Sequence, residues 1–320
     1  MADLPTVLLT NAIHPDGTAI LAPHARLVTA PDTMPETLRA MAADAVGILV
    51  RAKLPDDIVD HAPHLKGMVR HGVGLDFIPV AAATARGVAV ANLPGSNTQA
   101  VVEYVLSAIM HLRRPIYRLD AGLRNEGWLK IRPLADTLGE VGGSTLGILG
   151  VGTIGRMLAE RARAGFGMRV IGTSRRRGAL PANVEEVNLD RLFAEADVVA
   201  LTCAFTDETR GMANRARIGL MKPGAILINV SRGPVLEATA LIEALRENRI
   251  AGAALDVFDV QPLPDDDPLL SAPNLLLTPH SAALTVTSGR AMSVGAAEEM
   301  VRILSGQDPK NLVNPDHKRA

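Results

Sequence analysis

Cysteine, aromatic residues and net charge are all scarce in this 320-residue chain. Its single cysteine, Cys203, cannot form an intramolecular disulfide, and no cysteine-based metal site suggests itself. The formal net charge is −1 and aromatic residues make up 2% of the chain. The protein therefore lacks the overall positive charge and the aromatic stacking surface that nucleic-acid binding needs. No apolar run reaches the roughly 18 residues that cross a membrane. Because Met1–Pro5 lacks the basic and apolar regions of a signal peptide, we expect a soluble, cytoplasmic protein.

Short apolar strands alternate with short helical segments along most of the chain. This alternation predicts an α/β fold with parallel sheets that carry helices on both faces, and the length suffices for two domains. The first unit ends at Pro94–Asn97, and a long helix is predicted at Thr98–Arg113. A second unit follows a linker around Trp128–Thr145. A short helix is expected at Pro55–His61, and the helical segment Val286–Ser305 is expected to pack on the first unit.

The glycine motif after the predicted strand at Leu146 has the flanks of a dinucleotide-binding unit. Gly150 would allow the tight turn, Gly152 would let a pyrophosphate approach the backbone, and Gly155 would let helix and strand pack closely. The following helix offers N–H groups and a positive dipole end to phosphate groups. Its first turn contains Thr153, Ile154 and Gly155. A glycine turn that binds no ligand is the alternative, but the strand and helix on either side favour the dinucleotide.

The residue about 20 positions beyond the glycine turn indicates which nicotinamide cofactor fits. NAD-preferring sites usually have an acidic residue there, which binds the ribose 2′-hydroxyl. This chain has Ser174, followed by Arg175, Arg176 and Arg177. A serine hydroxyl and guanidinium groups can bind a 2′-phosphate, although at least one of the arginines is expected to face solvent. The sequence therefore favours NADP(H) over NAD(H).

Further candidates follow the other strands of the second unit, because ligands of doubly wound sheets lie beyond the carboxyl ends of the strands. Arg232 follows the fourth strand, Asp256 ends the fifth, and His280 follows the sixth. A guanidinium can clamp a carboxylate and an imidazolium can protonate a carbonyl oxygen, which suits hydride transfer to a 2-oxo acid. The competing interpretations are an ion pair of Arg232 with Glu237 and a structural role for His280. Other residues at these strand ends are Thr202, Cys203, Val230 and Ser231.

Six longer motifs occur between the first strand and about residue 305. They are GVGLD at Gly72–Asp76, NLPGSNTQAVVE at Asn92–Glu103, LGILGVGTIGR from Leu146, MKPGAILINVSRGPV from Met221, ALDVF at Ala254–Phe258 and LTPHSA at Leu277–Ala282. Together they resemble the D-isomer-specific 2-hydroxyacid dehydrogenase family. The resemblance implies two doubly wound parallel-sheet domains. A Rossmann cofactor domain, residues 97–282, is inserted in a flavodoxin-like substrate domain, residues 1–96 and 283–320.

The resemblance also implies roles for particular residues. In family terms Arg232 binds the substrate and His280 is the general acid/base. The backbone of Val73 and Gly74 binds the substrate carboxylate, and Asp256 lies by the nicotinamide carboxamide. The implied enzyme is a homodimer, formed through the cofactor domain, that reduces a 2-oxo acid of the glyoxylate or hydroxypyruvate type to the D-2-hydroxy acid.

The chain departs from the family pattern at three places. Gln261 stands where the family usually has a glutamate beside the histidine. An amide can orient the imidazole but does not raise its pKa as a carboxylate does, so we predict a lower kinetic pKa than in relatives with glutamate. Arg70 and His71 either bring positive charge to the substrate's distal end or form a surface strand end. Thr202–Ala204 replaces the usual His-x-Pro at the adenine side, and its Cys203 is expected to be a buried packing residue.

Two other functions fit the same sequence. One is an NAD-linked dehydrogenase of a larger or doubly anionic 2-hydroxy acid. The other is a nucleotide-sensing corepressor that binds partner proteins, which the intact pair of Arg232 and His280 disfavours. Formate dehydrogenases share the fold and a comparable Gln–His pair, but they differ from this chain elsewhere.

Overall fold

Two compact units make up the computed structural model, which describes residues 4–175 and 178–319. One unit contains Met1–Asn97 and Leu284–Ala320, and the other contains Thr98–Ala283. Each unit is built on a parallel β-sheet with helices on both faces. The expected fold class of two doubly wound α/β domains is confirmed.

In the first unit, the described residues form a five-stranded parallel sheet. Its strands are β1 (Thr6–Leu9), β2 (Arg26–Thr29), β3 (Ala45–Val50), β4 (Gly67–Arg70) and β5 (Ala89–Ala91). Its first helices are α1 (Pro15–Leu21), α2 (Pro35–Ala42) and α3 (Val80–Ala85). The strand order β2-β1-β3-β4-β5 is the flavodoxin-like order. Because successive strand residues point to opposite faces, Ile48 and Met68 lie in one apolar cluster while Leu49 and Val69 lie in the other.

In the second unit, the described residues form a seven-stranded parallel sheet. Its strands are β6 (Thr145–Leu149), β7 (Arg169–Thr173), β8 (Glu185–Glu186), β9 (Val198–Leu201), β10 (Ile226–Asn229), β11 (Gly252–Leu255) and β12 (Leu275–Leu277). Its helices are α4 (Thr98–Arg113), α5 (Ile116–Asn125), α6 (Trp128–Ile131), α7 (Thr153–Phe166), α8 (Leu189–Glu195), α9 (Arg215–Leu220) and α10 (Ala238–Arg246). All seven strands are parallel, and their order across the sheet is β12-β11-β10-β9-β6-β7-β8. From β6, the chain adds β7 and β8 on one side and then β9 to β12 on the other, so β6 marks the topological switch point. Doubly wound sheets bind their ligands at such a switch point.

The C-terminal helix α11 (Val286–Leu304) returns to the first unit, as expected. Its Met292 and Met300 are buried in the apolar cluster that contains Leu49. A capping box starts the helix: the Thr285 hydroxyl accepts the N–H of Ser288, and the Ser288 hydroxyl accepts the N–H of Thr285. None of the helices in the described part of the chain is long and apolar enough to span a lipid bilayer.

Three segments differ from the sequence-based expectation. The region predicted as a linker contains α6 and a 3-10 helix at Arg132–Thr137, and the preceding α5 was not predicted. Several apolar residues of α5 and α6 are exposed, so they do not form the core-facing stripe that marks a helix in a sequence. Strand β8 consists of two exposed glutamates at a sheet edge and gives no apolar signal. Only Ile58–His61 of the predicted helix Pro55–His61 is helical, as a 3-10 turn.

Candidate active site

The glycine turn joins β6 to α7 at the switch point of the second sheet. Gly150 has a φ of +95°, and a Cβ on it would lie 2.5 Å from the Cα of Cys203. A residue with a side chain would therefore be strained and would overlap the neighbouring loop. The Thr202 hydroxyl donates to the carbonyl oxygen of Gly150 over 2.8 Å and holds the turn. A Cβ on Gly155 would lie 2.7 Å from the same oxygen, so helix and strand could not pack as closely.

Gly152 differs from these two glycines because it faces open space. A Cβ on Gly152 would have no heavy atom within 4 Å. Helix α7 begins at the next residue, Thr153, and the Gly152 position supplies no side-chain cap to the first turn. The N–H groups of a helix's first turn lack partners within the helix and attract anions. The turn thus offers the space and the donors that a pyrophosphate needs.

A cleft of about 750 Å³ lies beside the glycine turn. Loops after β6, β7 and β9 contribute most of its lining. The predicted cofactor residues that line it are Gly150, Gly152, Ser174, Arg175 and Cys203. Ser174 is half-buried and Arg175 is exposed. Arg176, which the sequence also assigned to this site, lies outside the described residues.

Two acidic residues also line the cleft, Glu186 and Glu208. Glu186 belongs to β8, and its Oε2 accepts the N–H of Gly178 over 2.8 Å. This bond joins β8 to Gly178 in the connection between β7 and β8. A carboxylate in this cleft would oppose a 2′-phosphate bound there, whereas the Arg175 guanidinium would attract it.

Cys203 has the character of a packing residue. Its side chain packs against the apolar cluster beneath the sheet, and burial raises the pKa of its thiol to about 11. The nucleophile in cysteine chemistry is the thiolate, so this thiol is unreactive at neutral pH.

Arg232 follows β10 on a turn that Asn229 organises. Asn229 is fully buried, and its Oδ1 accepts the N–H and the hydroxyl of Ser231 over 3.0 and 2.7 Å. Its Nδ2 donates to the carbonyl oxygen of Arg232 over 3.0 Å. On the other side, Gly233 lies so close to Phe258 that a Cβ on it would overlap the Phe258 backbone. The backbone that carries Arg232 is therefore held from both sides.

The residue before this turn, Val230, continues the strand pairing. Its N–H donates to the carbonyl oxygen of Leu201 over 3.2 Å. This bond places Val230 and Ser231 at the carboxyl edge of the sheet, next to the loop that contains Thr202.

His280 occupies a left-handed backbone conformation, with a φ of +52°. Its N–H donates to the carbonyl oxygen of Asp256 over 2.9 Å. Its ring Nδ1 lies 2.8 Å from Oε1 of Gln261, whose Nε2 donates to the carbonyl oxygen of Phe258 over 3.2 Å. That second bond orients the amide so that its oxygen faces the ring. Because an amide oxygen only accepts, Nδ1 carries a proton, and any acid/base chemistry of this ring would take place at Nε2.

Asp256 organises the segment that contains His280. Its buried carboxylate accepts the Thr278 hydroxyl and the Ser281 N–H, both over 2.7 Å, and the Ala282 N–H over 3.0 Å. These three donors flank His280 on both sides. The carboxylate of Asp256, which the family resemblance places by the nicotinamide carboxamide, is thus hydrogen-bonded to donors of the chain itself.

The candidate residues Val73 and Gly74 belong to the first unit. The carbonyl oxygen of Val73 accepts Nδ2 of Asn92 over 2.7 Å, and that of Gly74 accepts Nε of Arg70 over 3.1 Å. With the carbonyl groups tied in this way, the N–H groups are the part of the loop suited to a carboxylate.

Both interpretations offered for His71 are wrong. Its side chain is buried, with Nε2 2.9 Å from the Ser293 hydroxyl. Burial, with the charge of Arg51 as the next cause, lowers the pKa of His71 to about 4. The imidazole is therefore neutral near pH 7, and it is neither a surface residue nor a source of positive charge. The neighbouring Arg70 donates to the carbonyl oxygen of Val50 over 2.7 Å and so braces the backbone.

Residues 106–282 match the NAD-binding domain of the D-isomer-specific 2-hydroxyacid dehydrogenases. The chain belongs to this family.

Relatives of the family cover nearly the whole chain. A glyoxylate reductase from Aeropyrum pernix is 36% identical over 97% of this chain and 96% of its own length. A protein of known structure from Thermus thermophilus is 33% identical, with a TM-score of 0.87 over 96% of this chain and 99% of that one. The NADPH-dependent glyoxylate/hydroxypyruvate reductase from Sinorhizobium meliloti, solved with NADP and malonate, is 29% identical, with a TM-score of 0.86 over 98% of each chain.

The site of this family member contains residues that sequence reasoning did not single out. Asn229 had a usable signal, since it is an isolated amide in the apolar strand AILINV. Thr278 directly precedes the Pro-His pair, but its hydroxyl has no pattern of its own. Glu186 could not have been identified from the sequence, because the two-residue edge strand that contains it has no apolar pattern.

The residues present fit the dinucleotide that the family's NAD-binding domain implies. The open face of Gly152 and the first turn of α7 would hold the pyrophosphate, and Ser174 with Arg175 would lie on the ribose side. When bound, a nicotinamide cofactor supplies the hydride.

Proposed function

We propose that this dehydrogenase reduces a 2-oxo acid of the glyoxylate or hydroxypyruvate type to the D-2-hydroxy acid, with NADP(H) as the preferred cofactor. The observation that carries the proposal is the 2.8 Å contact between Nδ1 of His280 and Gln261, at the same carboxyl edge of the sheet as the turn that contains Arg232. Glyoxylate reductases among the relatives support the substrate class.

Each catalytic residue has one task in this reaction. The Arg232 guanidinium binds the substrate carboxylate and helps to polarise the adjacent carbonyl. His280, protonated at Nε2, donates that proton to the carbonyl oxygen and returns to the neutral form with its other proton on Nδ1. Gln261 accepts that Nδ1–H throughout and fixes the ring. The N–H groups of Val73 and Gly74 bind the carboxylate from the substrate domain.

The cofactor preference rests on the absence of an acidic residue at position 174. Ser174 and Arg175 both line the cleft, and a hydroxyl and a guanidinium are both suited to a 2′-phosphate. Glu186 is directed to the N–H of Gly178, which reduces its opposition to a phosphate.

The assembly we propose is a homodimer through the cofactor domain. Helices α5 and α6 pack on each other at Gly122 and Ile131. They expose large apolar side chains, namely Ile116, Leu123, Trp128 and Leu129. An exposed apolar patch of this kind is typical of a protein interface, and a second copy of this chain is the occupant we propose for it.

Two alternatives make different predictions. A dehydrogenase of a doubly anionic acid needs extra positive charge near the distal end of its substrate. The neutral His71, together with an Arg70 that braces backbone carbonyl groups, disfavours that alternative. A corepressor would bind the nucleotide and turn over no 2-oxo acid.

The test measures NADPH oxidation with glyoxylate and hydroxypyruvate and determines the configuration of the glyceric acid formed from hydroxypyruvate, because the glycolate formed from glyoxylate is achiral. We expect the D-hydroxy acid, a loss of at least about 100-fold in kcat for His280→Asn, and a raised KM for the oxo acid in Arg232→Gln. His64→Asn, which changes an exposed histidine of the first unit, is the matched control. Turnover of His280→Asn at the wild-type rate, or nucleotide binding without any turnover, would refute the proposal.

A further inference from the structure

Three side chains form a hydrogen-bonded chain that reaches the His280 segment from α4. The hydroxyl of Tyr104 lies 2.7 Å from Oγ1 of Thr278, and Oγ1 of Thr278 lies 2.7 Å from Oδ1 of Asp256. The direction of these bonds follows from their chemistry. An ionised carboxylate only accepts, so Thr278 gives its one hydroxyl proton to Asp256, and Tyr104 donates to Thr278.

The last member of the chain determines where His280 lies. The side-chain carboxylate of Asp256 accepts hydrogen bonds from Thr278, Ser281 and Ala282. Its main-chain carbonyl oxygen accepts a hydrogen bond from the N–H of His280. His280 has a φ of +52°, a conformation that residues other than glycine rarely adopt. Such a conformation persists only where its surroundings enforce it. The Asp256 hydrogen bonds supply that enforcement.

Tyr104 is suited to anchor the chain. Its ring packs against the apolar cluster between α4 and the sheet, which sets the position of the hydroxyl. Burial raises the pKa of Tyr104, and the nearby charge of Asp256 also raises it. The hydroxyl therefore remains a donor throughout the range in which the enzyme is expected to work.

We propose that Tyr104 is a positioning residue, which acts through Thr278 and Asp256 to hold the acid/base His280 in place. This role rests on the reductase function proposed above. Polarisation along a hydrogen-bonded chain strengthens each bond, so a donor at Tyr104 strengthens the bond that Thr278 makes to Asp256. Loss of the Tyr104 hydroxyl leaves the segment around His280 less tightly held.

The kinetic test compares Tyr104→Phe with Tyr117→Phe. Tyr117 is the other tyrosine of the chain; it is exposed and its ring stacks on His111. Tyr104→Phe keeps the packed ring and is expected to lower kcat by about 2- to 10-fold, the effect of one hydrogen bond. KM for the cofactor should stay unchanged, since the glycine turn is untouched, and so should the pKa of the acid/base limb, since no charge changes beside His280. Tyr117→Phe should match the wild type.

Variants of Thr278 separate positioning from simple structural support. Thr278→Ser keeps the hydroxyl and should retain most activity. Thr278→Val removes the hydrogen bonds to Tyr104 and to Asp256, and it should lower kcat at least as much as Tyr104→Phe does. If Tyr104 acts only through Thr278, the double variant Tyr104→Phe/Thr278→Val should have the same kcat as Thr278→Val alone. Additive losses in kcat would overturn the proposed route.

Amide hydrogen exchange of the unliganded protein gives a readout that needs no activity. We expect faster exchange at Ser281 and Ala282 in Tyr104→Phe, and wild-type exchange in Tyr117→Phe. Faster exchange without a change in kcat would reduce the contact to a structural one and overturn the proposal, as would a lower kcat with unchanged exchange. If the wild type reduces no 2-oxo acid, the proposed function fails, and exchange alone then decides whether Tyr104 holds this segment.

Discussion

Gln261 holds Nδ1 of His280 at 2.8 Å with an amide oxygen, at the position where the family resemblance leads us to expect a glutamate. The amide orients the ring as a carboxylate would, because its own Nε2 is fixed on the carbonyl oxygen of Phe258. It does not stabilise the imidazolium through a full charge. Gln261 therefore orients the His280 ring without placing a negative charge beside it. The absence of that charge should be visible in the pH dependence of the reaction.

Replacing Gln261 by glutamate should raise the pKa of His280 by about one unit, because a neighbouring negative charge favours the protonated ring. Reduction needs the protonated form, so the rate of the wild type should fall at a lower pH than that of Gln261→Glu. The measurement is the pH dependence of kcat/KM for the oxo acid. A wild-type profile that stays flat to about pH 8, a range in which an unperturbed imidazole has lost its proton, would contradict this account.

The two glycines of the turn should fail in different ways when each is changed to alanine. Gly150→Ala should cost about 2 kcal/mol or more of the free energy of unfolding, because the new Cβ meets Cys203 at a positive φ. Gly152→Ala should fold almost as stably as the wild type, because its Cβ meets nothing in the protein. Its Kd for NADPH should nevertheless rise at least about tenfold, since the methyl group occupies the approach to the phosphates. Urea titrations and fluorescence titrations with NADPH measure the two effects, and unchanged NADPH binding by Gly152→Ala would refute the assignment of the turn.

His71 should make the first unit sensitive to acid. Its folded-state pKa of about 4 lies below that of an unfolded histidine, so the unfolded chain takes up a proton as the pH falls below about 6.5 while the folded chain does not. The stability linked to this group is complete above that range and is lost as the pH falls towards 4. Between pH 7 and pH 5 the loss should be about 2 kcal/mol.

The check is the free energy of unfolding, from urea titrations at both pH values, in wild type and in His71→Gln. We expect the variant to lack this part of the loss, whatever its stability at pH 7, and the exposed-site control His64→Gln to keep it. Parallel pH dependence in wild type and His71→Gln would show that His71 is not the group responsible.

Charges on the apolar surface of α5 and α6 should prevent dimerisation. Leu129 is 88% exposed and Trp128 is 65% exposed, so lysine at both positions should leave the fold intact while burying a charge in any interface there. Light scattering should give twice the chain mass for the wild type and for Met34→Lys, a control at an exposed position of the first unit. The double variant should give the chain mass. A monomeric wild type would exclude the dimer. A double variant that stays dimeric would show that the interface lies elsewhere.

Much of the fold and part of the site could be predicted because they depend on local patterns. The apolar strands and the glycine turn are readable in short windows, and the convergence of parallel strand ends groups Arg232 with His280. Other features depend on partners far away in sequence. Tyr104 and Thr278 are 174 residues apart and His71 and Ser293 are 222 apart, so the role of Tyr104 and the burial of His71 could not be read from local patterns.

The most direct test of the whole account is a set of initial rates. Oxidation of NADPH and NADH would be followed with glyoxylate, hydroxypyruvate, pyruvate and phenylpyruvate, in wild type and in Arg175→Ala. We predict turnover of glyoxylate or hydroxypyruvate with a clear preference for NADPH that Arg175→Ala loses. Equal rates with the two cofactors, or faster oxidation of NADH, would refute the role given to Ser174 and Arg175. The absence of turnover on all four acids would contradict the central claim that this chain is a 2-oxo acid reductase.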